Sequence, residues 1–214
     1  MTAGTDSATV GASLARSPIV GVVRTDALDS ARAHARALMA GGLELVEVTF
    51  TVPGASGLVR ELLDERSGAA PPWIGMGSVT TEAKALEAAA AGAEFLVSPN
   101  VSTAVAGVAK AEGLFLVMGA MTPSEIVAAA ALGADLVKVY PLPALGGPRY
   151  LATIRGPLYD IEMLAAGGFG VDEIPAYRQV GARAFGLAAQ LLLDGPGDAT
   201  ETIHHARSLA RGDA

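Results

Sequence analysis

Five stretches of the chain share one local grammar: "AGGLELVEVTF", "AAGAEFLVSPN", "AEGLFLVMGAM", "LGADLVKVYPL" and "VGARAFGLAAQ". Each runs from an Ala-rich helical segment through a glycine into a short apolar strand. Glycine suits the left-handed position just past a helix C-terminus, and the apolar, largely β-branched run after it fits a strand covered on both faces. Extended in both directions, the grammar predicts eight strands, near 18–23, 44–49, 73–78, 94–98, 114–118, 136–140, 160–166 and 182–187. Helices fill the gaps near 28–40, 54–66, 81–91, 102–111, 123–132, 149–155 and 171–180, with a last one near 200–211. Asp26, Thr80, Ser102, Thr122 and Asp172 stand at or near their starts, where a side-chain oxygen can accept from orphan backbone N–H groups.

Alternating strands and helices imply parallel pairing through right-handed crossovers, and eight such units are the number that closes a (β/α)8 barrel of the TIM-barrel class. An open doubly wound sheet is the alternative. That fold usually carries a G-x-G-x-x-G turn after its first strand, whereas here the first strand leads into "VVRTDALDS". Residues 1–214 are therefore expected to form a single α/β domain, with an N-terminal helical extension over about 1–17.

Composition removes several chemistries. The chain has no cysteine, so thiol nucleophiles, disulfides and Cys-based zinc sites are out of reach. A formal charge of −7 with no run of Lys or Arg argues against a nucleic-acid partner and makes any anion site local. Apolar runs are broken by Gly, Pro or charge well short of the ~20 residues needed to cross a bilayer, so no membrane span is expected. The first 17 residues lack a basic segment followed by an apolar one, which makes the cytoplasm the expected location.

A barrel of this kind keeps its chemistry at the C-terminal ends of its strands. The polar residues there are Arg24, Glu47, Thr49, Ser78, Ser98, Asn100, Lys138 and Tyr140, together with the glycines Gly167, Gly168 and Gly186. Two of them stand inside strands: Glu47 in "LELVEVTF" and Lys138 in "ADLVKVYP", both on the period-2 face that points into the barrel. One reading is a neutralising ion pair that fills a polar layer. The other is catalytic, since an amine freed of its proton attacks a carbonyl and a nearby carboxyl group can accept and return protons. His34, His204 and His205 lack partners at metal-ligand spacing and are expected on the surface. Trp73 is expected in a core or a contact between copies, and Arg149 and Arg155 on a solvated helix face.

The segments "VVR", "EVTFTVPGA", "GMGSVTT", "SPN", "MTPSE", "VKVYP" and "GG", in that order and at those strand ends, resemble the 2-keto-3-deoxy-6-phosphogluconate (KDPG) aldolase family, which includes 4-hydroxy-2-oxoglutarate (KHG) and phosphogalactonate-type aldolases. The resemblance runs from about residue 18 to 193. It implies a homotrimeric barrel and a class I aldolase that needs neither metal nor cofactor and cleaves a 4-hydroxy-2-oxo acid to pyruvate and an aldehyde. Lys138 would form the Schiff base and Glu47 would be the general acid/base. Arg24 would hold substrate negative charge, Thr49 would belong to the substrate-binding set, Ser78 would stand near the pyruvate carboxylate, and the Pro99 turn would shape that pocket. Gly167, Gly168 and Gly186 would border the phosphate or other distal anion.

Departures from the family pattern bear on the substrate. Phosphate-using relatives typically present Pro-Thr-Gly-Gly after the seventh strand and Gly-Ser at the eighth, where this chain has "AAGG" and "GLAA". A "PG" after the fifth strand is here Met118-Gly119, and Thr51 stands where some relatives carry Arg. With both hydroxyl donors of the phosphate clamp missing, an unphosphorylated or differently substituted acid is the expected substrate. A phosphate-binding barrel isomerase or decarboxylase, and a catalytically idle relative, are the alternatives.

Overall fold

The computed structural model describes residues 7–66, 72–194 and 198–213. Eight parallel strands close into a barrel in chain order, with the last hydrogen-bonded to the first. They are β1 (Ile19–Val23), β2 (Leu45–Thr49), β3 (Trp73–Gly77), β4 (Phe95–Ser98), β5 (Phe115–Ala120), β6 (Leu136–Val139), β7 (Met163–Ala166) and β8 (Ala184–Ala188). Outside them lie α2 (Leu28–Ala40), α3 (Ala55–Glu65), α4 (Glu82–Ala90), α5 (Thr103–Glu112), α6 (Pro123–Ala131), α8 (Gly147–Arg155), α9 (Ile174–Gln179) and α11 (Ala199–Arg211). Two short helices, α7 (Leu142–Leu145) and α10 (Ala189–Leu193), sit at the barrel mouth after β6 and β8 and were not expected from the sequence.

The glycine joints do what the grammar requires. Gly42, Gly92, Gly113, Gly133 and Gly181 all take positive φ, between 67° and 97°. In each joint the residue after the glycine donates back to the helix carbonyl five residues earlier, as in Leu43 N–H to Leu38 O (3.1 Å) and Leu114 N–H to Ala109 O (2.9 Å). This is the six-to-one bond of the Schellman motif, which ends the helix and aims the chain into the next strand.

Two apolar layers hold the fold. One lies between the strands' outer faces and the helices; the other fills the lower barrel with Val20, Leu45, Trp73, Phe95, Phe115, Leu136, Leu164 and Ala184. Helix α1 (Ser7–Arg16) closes that lower end, its Val10 and Leu14 joining the interior cluster while Trp73 Nε1–H donates to Ser13 Oγ at 2.7 Å. The part of the expected extension before residue 7 lies outside the described residues.

Several boundaries shift. β6 stops at Val139, so Tyr140, expected inside the strand, stands past its end and is 43% exposed. β7 begins at Met163 rather than near 160 because 156–161 make turns. The cap of α4 is Thr81 rather than Thr80, whereas Ser102 and Thr122 cap as expected. Asp26 gives way to Ala27, which caps α2 without a side-chain bond, and Asp172 falls within a 3-10 turn (Val171–Glu173) ahead of α9. Among the described residues no helix is long and apolar enough to cross a membrane.

Candidate active site

Lys138 is the third residue of β6 and points inward, flanked in register by Gly119 of β5 and Leu164 of β7. The floor beneath it is the packed interior, so its half-buried side chain can extend only toward the mouth. Gly119 is required here: a Cβ would stand 2.3 Å from the Pro99 carbonyl carbon, so the Pro99 turn rests directly on the strand beside the lysine. Ser98, fully buried, holds that turn by donating to Asn100 O at 2.6 Å. The Lys138 Nζ lies 5.2 Å from the centre of the Tyr140 ring, and among the described residues it has no salt-bridge partner.

Glu47 occupies the inward face of β2, 2% exposed, with Oε1 lacking a hydrogen-bond partner among the described residues. Burial pushes its carboxyl group above the ordinary glutamate range, opposed more weakly by the positive charges of Lys138 and Arg24. Glu47 and Lys138 thus feel each other across the barrel without forming the neutralising pair that the sequence left open. Burial favours the protonated form, the form in which a carboxyl group can donate a proton.

Arg24 leaves the end of β1 and donates to Ser78 Oγ at 3.3 Å. Ser78 has φ of 60°, the left-handed region that a residue with a side chain rarely occupies, so the turn after β3 is strained to present that hydroxyl. Thr49, fully buried, donates to Val23 O at 3.1 Å and lies 2.7 Å from Thr51 Oγ1. That bond fixes the peptide from which Arg24 departs.

These elements surround a cavity of about 380 Å3 lined by Val22, Arg24, Lys138, Tyr140, Ala166, Gly167, Gly168, Gly186, Ala188 and Gln190. Gly167 (φ 125°) has no room for a side chain, since a Cβ would stand 2.7 Å from Pro141 Cα. Of the candidates, Arg24, Lys138, Gly167, Gly168 and Gly186 line the cavity. Ser78 joins it through Arg24, and Glu47 sits buried within charge range of both cations. Thr49 and Pro99 act one residue back, on Val23 and Gly119. Gln190 was missed: its position on α10, a helix the strand grammar does not register, hid it among apolar neighbours.

The remaining expectations divide. Trp73 is buried in the barrel interior, and Arg149, His204 and His205 are exposed. His34 is instead half-buried with its Nδ1 enclosed, and Arg155 is half-buried and donates to Ile161 O at 2.7 Å.

A family model described as "Aldolase: KDPG and KHG aldolase" matches residues 10–196. The chain belongs to this family. Its relatives include a probable 2-dehydro-3-deoxy-6-phosphogalactonate aldolase of Rhizobium meliloti, 32% identical over 179 residues that make up 83% of each chain. A KHG/KDPG aldolase of Escherichia coli is 30% identical over 155 residues, 72% of this chain and 71% of its own. Among solved structures, a 4-hydroxy-2-oxoglutarate/2-dehydro-3-deoxyphosphogluconate aldolase superposes with a TM-score of 0.80 at 27% identity, covering 94% of this chain and 98% of the other. This KDPG/KHG-family aldolase is a carbon–carbon lyase.

Proposed function

We propose that the enzyme reversibly cleaves a 4-hydroxy-2-oxo acid of the KDPG or KHG type to pyruvate and an aldehyde through a Schiff base on Lys138, with preference for an unphosphorylated acid. The observation that carries this reading is a half-buried amine, without a salt-bridge partner among the described residues, in a 380 Å3 cavity with a protonatable buried carboxyl group in charge range. Nζ attacks the C2 ketone to give a carbinolamine. Glu47 supplies the proton with which its hydroxyl departs as water, leaving the iminium. Cleavage of the C3–C4 bond sends its electron pair into the iminium as an enamine while a base takes the 4-hydroxyl proton and the aldehyde leaves. The enamine is then protonated at C3, and hydrolysis of the imine returns pyruvate and the free lysine.

Arg24, with Ser78 beside it, suits the substrate carboxylate, because a guanidinium and a hydroxyl together match its oxygens. Thr49 fixes the peptide that carries Arg24, the Pro99 turn walls the pyruvyl end, and Gly167, Gly168 and Gly186 border the aldehyde end. Incubation with pyruvate and borohydride tests the central step. A mass gain that maps to Lys138 and vanishes in Lys138→Met is expected; no gain, under conditions that label a known Schiff-base aldolase, rejects the mechanism.

In the same reading the enzyme works in the cytoplasm as a homotrimer. Leu86, Met121 and Val127 are each at least 42% exposed on or beside α4 and α6, and assembly would give them apolar surface to bury. Sedimentation equilibrium should return three chain masses, and a monomeric mass at micromolar concentration would reject the trimer.

A further inference from the structure

The two ends of the cavity differ in chemistry. Arg24 is bonded to Ser78 after β3 and, like Lys138, acts on the charge of Glu47 on β2, so both of the cavity's cations are directed to the β2–β3 side. The other end, formed after β7 and β8, brings no charged side chain to the lining and has Gln190 as its polar side chain, while Tyr140 stands between the two with its ring 5.2 Å from Lys138 Nζ. Gln190 is half-buried at the start of α10, two residues past the end of β8, and its carboxamide has no hydrogen-bond partner among the described residues. A carboxamide offers two N–H donors and one acceptor oxygen. Turned into a partly enclosed cavity, that capacity goes unused until a ligand meets it, and an unmet polar group in such a place costs binding free energy.

The path of a substrate follows from the packing. Below Lys138 the barrel is filled by Phe115, Leu136 and Leu164, and the Pro99 turn blocks the β4–β5 side. An acid bound through C2 at Lys138, with its carboxylate at Arg24, must therefore run its remaining carbons toward Tyr140, Gly168 and Gln190. A phosphate dianion arriving there would meet no cation and would force the carboxamide to turn its oxygen away. A hydroxyl both donates and accepts, so it can satisfy both halves of the carboxamide at once.

We propose that Gln190 is a specificity-determining residue: its carboxamide hydrogen-bonds a neutral hydroxyl on the aldehyde half of the substrate, making a hydroxyaldehyde the aldehyde product. This rests on the Schiff-base reading, and the test separates the two. Catalytic efficiency is measured on three acids that share the 4-hydroxy-2-oxo core and end in a hydroxymethyl, a methyl or a phosphorylated hydroxymethyl group. Borohydride trapping of pyruvate, which lacks the distal carbons, is measured alongside.

The wild-type enzyme should favour the hydroxymethyl acid over the methyl acid by roughly tenfold or more, because a site built to bond a hydroxyl discriminates against its absence. Gln190→Leu keeps the volume and should bring that ratio to within about threefold of one, with pyruvate trapping retained. Gln190→Arg should move preference toward the phosphorylated acid. An unchanged hydroxymethyl-to-methyl ratio in Gln190→Leu, with trapping intact, overturns the assignment of Gln190 alone. A wild-type preference for the phosphorylated acid overturns it too. Failure of wild-type trapping removes the Schiff-base reading and the assignment together.

Discussion

Glu47 stands in an environment that works against its charged form. A glutamate whose folded-state pKa is raised binds its proton more tightly in the native than in the unfolded chain. The native advantage is therefore whole below the unfolded pKa and is lost as pH climbs from the ordinary glutamate value through the raised one. Glu47→Gln removes that titration. Chemical denaturation at pH 5 and pH 8 should show the variant gaining on the wild type as pH rises, while kcat falls by ~10²–10⁴, the range for a lost general acid/base. A parallel pH dependence in both proteins would mean that burial does not raise the carboxyl group's affinity for its proton. Lys138 and Glu47 were legible in the sequence because a charge at an inward position of an apolar strand breaks the pattern around it. Gln190 breaks no pattern.

At the scale of the element, β3 explains how a carboxyl group fits inside the barrel at all. Its inward positions read Trp73, Gly75 and Gly77: one large plug, then two places with no side chain. A Cβ on Gly75 would stand 2.4 Å from the Phe95 ring, and one on Gly77 would stand 1.7 Å from Glu47 Oε1 and 2.7 Å from its Cγ. The strand thus yields its space first to a core aromatic and then to the functional group. Gly77→Ala must displace Glu47, and a shift of about 1 Å can cost ~10²-fold in rate, so kcat/KM should drop by roughly that factor. Gly57→Ala in α3, which meets nothing within 4 Å, is the control and should leave kcat/KM unchanged. Equal activity in the two variants would show that Glu47 needs no such room. The glycines of β3 could be read only as weak spots in a strand, since what fills the vacated space comes from β2 and β4. The same limit explains the late start of β7 and the unexpected α7 and α10, which are set by packing across the mouth. The helix-to-strand joints were legible because their hydrogen bonds are local.

Across the whole molecule, chemistry and stability occupy opposite ends of one barrel, as the architecture generally arranges them. The mouth keeps a strained Ser78 and, among the described residues, a Glu47 oxygen without a hydrogen-bond partner and a lysine without a salt bridge. The closed end is laced by charge: Arg16 and Arg207 both bond Glu44, and Arg66 grips Glu94 at 2.7 and 2.9 Å while Ile74 N–H donates to the same carboxylate at 2.9 Å. Both members of the Arg66–Glu94 pair are largely buried, with side-chain exposures of 13% and 6%. Such a pair does little for net stability against an apolar replacement, but losing one member leaves a charge stranded out of water. Glu94→Ala should therefore destabilise the protein by about 3–5 kcal/mol. A double change, Arg66→Met with Glu94→Leu, should recover most of that loss. Because the pair stands at the far end from Lys138, kcat/KM at 25 °C should stay within about twofold of wild type in whatever fraction is folded. Urea titration and steady-state kinetics on the same samples decide the matter: a fall in kcat/KM comparable to that of Gly77→Ala, with stability kept, would mean that the two ends are not independent.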